Sequence, residues 1–217
     1  MTEVIRLHLA ELYVVEEPWP VHGFVILHPR LGAVLVDTGC GGPDALLREY
    51  RVVNRSVAAA LAEHDLSPAD VRLVINTHLH FDHCGQNPAF DHARLCVQRA
   101  ELERVRREED DMSRWIEATQ IRFELFEGDI SLADDLHVVV TPGHTVGHQS
   151  VVARTERGVE LFVGDAAYTR SVWDADGETT KLPPGQAEDI DAWRSSLRGL
   201  REINPARVHF CHDMSGS

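Results

Sequence analysis

Three histidines and an aspartate fall within six residues of this chain, His78-Leu79-His80-Phe81-Asp82-His83, a pattern written H-x-H-x-D-H. Imidazole and carboxylate at this density suit zinc, iron or manganese better than calcium. The apolar run 71–75 before the cluster reads as a buried strand, and Gly85-Gln86-Asn87-Pro88 after it reads as a turn. The cluster therefore sits on a loop at a strand end, where a rigid scaffold can present ligands. Three more donors recur later, each at the end of an expected strand: His144 in Thr141-Pro142-Gly143-His144, Asp165 after Gly164, and His212 after the run 207–211. A chance histidine cluster on a surface loop does not account for that recurrence. A single catalytic zinc needs three protein ligands and an open position. The seven donors His78, His80, Asp82, His83, His144, Asp165 and His212 exceed that need and suit two metal ions sharing a carboxylate.

The elements that must position these donors can be read around them. Residues 4–15 predict a strand, broken by Glu16-Glu17-Pro18-Trp19-Pro20. The runs 21–27 and 33–36 predict a hairpin across 28–32. Asp37 ends the second run before Gly39, where capping the turn and orienting a metal ligand are equally good roles. Helices are expected over 43–50, 55–64, 98–107 and 112–126, the last with Trp115, Thr119, Arg122 and Phe126 on one face. Residues 93–97 and 136–140 predict strands, and 150–153 with 159–163 a second hairpin. A helix over 191–203, capped by Asp191, precedes a last strand over 207–211. His148 is expected to hydrogen-bond within its turn. Cys84 and Cys211 adjoin ligand candidates but read as small packing residues, not ligands, and strand alternation predicts that Cys211 points away from the ion at His212.

Composition bounds the partners. A chain of 217 residues, 43% hydrophobic, supports one domain over 1–217 with a real core. The net charge of −14 disfavours nucleic acid and anionic membranes, and no segment approaches a membrane-spanning length. Four scattered cysteines, Cys40, Cys84, Cys96 and Cys211, suit reduced thiols, not a disulfide framework. Met1-Thr2-Glu3-Val4 opens into a strand and shows no signal-peptide pattern, so a cytoplasmic location is expected.

The motif H-x-H-x-D-H, the later T-P-G-H, the G-D at a hairpin end and the terminal histidine resemble the metallo-β-lactamase superfamily over nearly the whole chain. That resemblance implies an α/β fold, a four-layer αββα sandwich with mixed β-sheets. It places one divalent ion on His78, His80 and His144 and another on Asp82, His83 and His212, with Asp165 bridging. Zinc is the first expectation, and iron, manganese or cobalt are alternatives. Within the superfamily the sequence looks most like the N-acyl homoserine lactonases, through His78–His83, Val97-Gln98-Arg99-Ala100-Glu101, Phe126-Glu127-Gly128-Asp129, the stretch from Pro142 to Ser150, and Asp165-Ala166-Ala167-Tyr168. The resemblance implies a metal-dependent hydrolase that takes a small-molecule lactone or ester, as a monomer or homodimer. Tyr168 would contact the lactone carbonyl, and Asp82 would relay a proton as well as bind metal. A thioester hydrolase of the glyoxalase II kind, or another ester hydrolase of this fold, is the alternative. The segment between Gly39 and Val71 is shorter than in the best-known lactonases, where it carries a loop that helps bind the acyl chain.

Overall fold

The computed structural model describes residues 2–14, 16–175 and 186–214. Among them, β-branched and apolar runs build two mixed sheets packed face to face. The first contains β1 (Glu3–Val14), β2 (Glu17–His28), β3 (Gly32–Val36), β4 (Val53–Asn54), β5 (Val71–Ile75), β6 (Arg94–Gln98) and β7 (Phe123–Phe126), in the order β4-β1-β2-β3-β5-β6-β7. The second contains β8 (Ile130–Ala133), β9 (Leu136–Val140), β10 (Gln149–Thr155), β11 (Gly158–Phe162) and β12 (Arg207–His209), in the order β12-β11-β10-β9-β8. Strands β3, β5, β6 and β7 run parallel, as do β11 and β12; the other neighbours among the longer strands are antiparallel.

Alternation along the strands divides the core into layers. Phe24, Ile26, Val34, Val36, Leu73 and Ile75 face the second sheet and pack with Val138, Val151 and Phe162. Their neighbours Val25, Leu35 and Val74 face the other way and are covered by Val57, Ala60 and Leu61 of α2 (Val57–Ala62), which follows α1 (Asp44–Glu49). Strands buried on both faces read as continuous apolar runs, hence the unbroken 33–36 and 71–75. On the far side α7 (Ile190–Glu202) lays Trp193, Leu197 and Leu200, at i, i+4 and i+7, against Val152, Leu161 and Val208. The result is the expected four-layer αββα sandwich. Short α3 (Phe81–Cys84) carries part of the H-x-H-x-D-H motif. Over it, α4 (Arg99–Glu108) and α5 (Asp111–Thr119) bury Leu102, Val105, Met112 and Ile116 against Leu79, Phe81 and Val97. A further helix, α6 (Arg170–Asp174), packs Val172 beside α7.

Several elements differ from expectation. The prolines do not break the chain between strands: β2 runs through Pro18 and Pro20, which pair with Tyr13 and Glu11 of β1. His22, two residues on, donates its N–H to Cys211 O at 2.9 Å, so nitrogens at this spacing point away from β1 towards the C-terminal segment. Proline is tolerated there because no ladder bond is lost. The helix expected over 112–126 ends at Thr119, where Gln120 turns left-handed at φ 56°. Residues 123–126 instead pair with β6, and Phe126 enters the core between the sheets, so Trp115, Thr119, Arg122 and Phe126 share no helix face. Asp189, not Asp191, caps α7, accepting the N–H groups of Asp191 and Ala192. The last strand stops at His209, short of Cys211. Val15, the expected end of β1, lies outside the described residues.

Two loops meet backbone to backbone below the site. Gly85 N–H donates to Gly39 O, and Gly41 N–H to Phe81 O, both at 2.9 Å. A Cβ on Gly85 would fall onto the Gly41 backbone, whereas one on Gly199, on the exposed side of α7, meets open space. Gly85→Ala is therefore expected to lower folding stability by about 3 kcal/mol, the upper part of the usual overpacking cost. Gly199→Ala should raise it by about 0.5–1 kcal/mol through helix propensity. Denaturant titration of the two variants reads both signs.

Candidate metal centre

The site gathers where strands of both sheets end at their carboxyl termini, the usual place for ligands in open sheets containing parallel strands. Asp37 follows β3, the loop 76–80 follows β5, the loop 141–148 follows β9, Asp165 follows β11 and His212 follows β12. All seven predicted donors come together there, in two groups. In the first, His78 Nε2 lies 2.9 Å from His80 Nδ1 and 3.2 Å from His144 Nε2, and His80 Nδ1 lies 3.1 Å from His144 Nε2. Asp165 Oδ2 stands 3.3 Å from His144 Nε2 and 3.8 Å from His78 Nε2. In the second, Asp165 Oδ1 lies 3.1 Å from His83 Nε2 and 3.6 Å from His212 Nε2. Asp82 Oδ2 is 3.5 Å from His212 Nε2 and 3.9 Å from His83 Nε2. One carboxylate thus turns one oxygen to each group.

These spacings fit metal ions. Nitrogens about 2.05 Å from a tetrahedral zinc stand about 3.3 Å from one another. Three imidazole lone pairs aimed at one point at 2.9–3.2 Å have that form. In the second group the buried Nε2 of His83 makes no hydrogen bond of proper geometry among the described residues. A buried nitrogen in that state needs a partner, and a metal would provide one.

Neighbouring groups fix which nitrogen faces inward. His83 Nδ1–H donates to Asp37 Oδ2 at 2.8 Å, His144 Nδ1–H to Gln186 O at 3.0 Å, and His212 Nδ1–H to Pro20 O at 2.9 Å. Each bond assigns the tautomer that leaves Nε2 free to bind. Asp37 also accepts the Thr77 N–H at 2.7 Å and the Thr77 hydroxyl at 2.8 Å, tying β3 to the metal loop. Its backbone is left-handed at φ 59°, so Asp37 makes the turn and orients a ligand at once. His148 takes the structural role expected of it: Nδ1–H donates to Thr141 Oγ1 at 2.8 Å, and Nε2 accepts the Asp165 N–H at 3.0 Å. Glu101, fully buried on α4, accepts from Leu79 N–H at 3.0 Å and from the Thr145 hydroxyl at 2.7 Å, joining the two loops of the first group. Arg104 neutralises it at 2.6 Å.

The electrostatics of the two groups differ. Burial, then the nearby histidine His83, holds His78 well below the usual histidine range; burial and His144 do the same to His80. Burial would also lower His83, but Asp165, Asp37 and Asp82 outweigh it and hold His83 well above that range. His212 is raised similarly, through Asp165 and Asp82. Burial would raise Asp165, yet His83 and His144 hold it far below the carboxylate range. Burial, then His144, pushes His148 down to about 3. Three buried carboxylates around the second group make a negative pocket that a divalent cation would neutralise.

Above both groups opens a cavity of about 640 Å³. His80, Asp82, His144, Asp165 and His212 form its floor, and Trp19, Leu46, Tyr50, Phe81 and Met112 give it apolar walls. Tyr168 also lines it, with its ring edge-on to Trp19, His144 and His212 at 5.5–5.7 Å between centroids. Burial, then Asp165 and Asp82, raises the Tyr168 phenol above its ordinary range.

Residues 17–212 match the Metallo-beta-lactamase superfamily. The chain belongs to that superfamily. An N-acyl homoserine lactonase of Bacillus sp is 30% identical over 208 residues, covering 87% of this chain and 80% of the relative. Among solved structures, a quorum-quenching N-acyl homoserine lactone lactonase superposes with a TM-score of 0.80 at 26% identity, covering 97% of this chain and 92% of the other. An N-acyl homoserine lactone hydrolase, with the product N-hexanoyl-L-homoserine bound at its catalytic metal centre, gives 0.77 at 26% identity over 98% and 93%.

One expectation from strand alternation fails. Cys211 does not point away from His212's group. Alternation does not apply because β12 has already ended at His209, and Cys211 Sγ lies 2.9 Å from Asp165 Oδ1. Three supporting groups were not singled out from sequence for what they do here. Glu101 lies in an Arg- and Glu-rich helix, and although it falls in the Val97–Glu101 stretch, nothing in its residue type reveals that it is buried. Gln186 contributes mainly through its backbone oxygen, which no side-chain motif reveals. The partners of His22, which are Arg6 at 2.8 Å and Cys211 O at 3.1 Å, come from opposite ends of the chain.

The support that Asp37 gives His83 and Thr77 can be tested by substitution, because asparagine tolerates the same left-handed backbone. Asp37→Asn is expected to keep the fold and to lower metal affinity about 10- to 100-fold, the usual effect of losing a ligand's hydrogen-bond partner. Chelator competition measures the change, and circular dichroism checks the fold.

Proposed function

We propose that this protein is a dinuclear metal-dependent hydrolase that opens the lactone ring of N-acyl homoserine lactones. The observation that carries the proposal is the split carboxylate of Asp165. Oδ2 faces the His78–His80–His144 group and Oδ1 the His83–His212 group. His78, His80 and His144 would hold one ion, and Asp82, His83 and His212 the other, with Asp165 between them. Zinc suits the nitrogen-rich donor set, as do iron, cobalt or manganese. When bound, such a pair supplies a water activated near neutral pH and polarises a carbonyl.

The chain's own residues supply the rest. The apolar walls at Trp19, Phe81 and Met112 suit an acyl chain, and the cavity of about 640 Å³ leaves room beside the lactone ring. Tyr168 would donate its phenolic hydrogen to the carbonyl oxygen as charge develops there. Asp82, at the boundary between cavity and second group, would present its free oxygen to the ring oxygen and protonate the departing alkoxide. The lactone choice draws on the relatives named above, two of which are a lactonase and a product-bound lactone hydrolase.

Three measurements bear on this. Purified protein should hold about two transition-metal ions per chain, the number a shared carboxylate suits, and His212→Ala should lose chiefly one. A single ion, indifferent to that change, would sink the dinuclear reading. Tyr168→Phe should retain both ions yet slow lactone opening by about ten- to a thousand-fold, the range for one oxyanion donor. Unchanged single-turnover rates would assign Tyr168 to packing.

Asp82→Asn separates two roles on one side chain. Its carbonyl oxygen can still bind metal, but it cannot shuttle a proton. An alkoxide leaves with difficulty and needs that proton, whereas a thiolate leaves without help. At restored metal occupancy, the variant should lose much more activity on an oxygen lactone than on the matching thiolactone, read by single-turnover kinetics so that product release does not mask chemistry. Equal losses would leave Asp82 as a ligand only.

A further inference from the structure

We propose that Cys211 is a thiolate ligand of the ion held by His83 and His212, so that this half of the site takes a borderline-soft divalent metal such as zinc or cobalt. The inference rests on the metal-pair reading above and adds one donor to it. After β12 ends at His209 the backbone leaves its extended alternation. Phe210 packs into the outer core, and the next two side chains both turn towards the site. His83, Asp165, Cys211 and His212 are all buried, and each offers one ligand atom within 4.8 Å of the other three. Asp82 is not one of these four.

A second observation is independent of the cysteine. His83, 1% exposed, aims its Nε2 into the same space, where Asp165 Oδ1 lies 3.1 Å away without the geometry of a hydrogen bond. The four donor atoms thus converge on one small volume. Sulfur about 2.3 Å and oxygen about 2.0 Å from one zinc, at a tetrahedral angle, stand about 3.5 Å apart. The 2.9 Å between Cys211 Sγ and Asp165 Oδ1 needs only a small outward shift to reach that. On coordination the S–H bond breaks, its proton leaves to solvent, and the sulfur lone pair forms the bond to the metal.

A thiolate would add one negative charge to the second group and favour zinc or cobalt over manganese. In the alternative role, Cys211 stays a thiol and only donates a hydrogen bond to Asp165.

Titrating metal-free protein with cobalt(II), while counting bound metal by elemental analysis, distinguishes these roles. The expected result is about two cobalt ions per chain and a sulfur-to-cobalt charge-transfer band in the near ultraviolet. Cys211→Ser should abolish that band while the visible ligand-field bands persist, and manganese should compete better against cobalt in the variant. Two bound ions with no such band, or a band that survives Cys211→Ser, would overturn this inference and leave the metal pair standing. Failure of a second cobalt to bind would overturn both.

Discussion

A buried carboxylate must be matched by positive charge or hydrogen bonds, because an isolated ion inside a protein costs several kcal/mol or more. Asp165 is 3% exposed, and the surrounding architecture answers that requirement. Imidazoles face both of its oxygens, His148 accepts its N–H, Gln186 donates to its carbonyl, and Cys211 Sγ lies 2.9 Å from Oδ1. Removing any one partner leaves the others facing a charge they were arranged to share.

Meeting this demand takes both sheets. The motif after β5 supplies His78, His80, Asp82 and His83, while the second sheet supplies His144, Asp165 and His212. The two halves lock together through atoms that touch no reacting group. Gln149 Nε2–H donates to Asn76 O at 2.8 Å and the Gln149 N–H to Thr77 O at 2.9 Å, so β10 holds the metal loop of the opposite sheet. Glu101 then joins that loop to the His144 loop. Precision in the site is therefore a property of the interface between the sheets, and not of either sheet alone.

Much of this was legible in the sequence, for identifiable reasons. Donor residues at strand ends announce themselves by type, so all seven members of the cluster could be named from His78–His83, His144, Asp165 and His212. Central strands were legible because burial on both faces leaves unbroken apolar runs such as 71–75. What stayed hidden depends on partners distant in sequence. Pro18 and Pro20 read as breakers until the C-terminal segment is seen beside them. Residues 123–126 carry no more strand signal than helix signal, and pairing with β6 decides between them. Cys211 followed the wrong rule because the strand ended two residues early.

The two halves of the site also differ in how much chain they enclose. His78 and His144 are separated by 66 residues, whereas His212 is anchored to Pro20, 192 residues away, and Arg6 reaches the Asp213 carbonyl across 207. Closing longer loops costs more entropy, and a chain growing from its N-terminus releases its last residues last. In chain order His78, His80 and His144 all precede Asp165, the carboxylate they share with the second group. The second group waits for residues 207–213 to return to β1 and β2. The first group therefore draws on one stretch of chain, whereas the second depends on joining the two ends of the molecule.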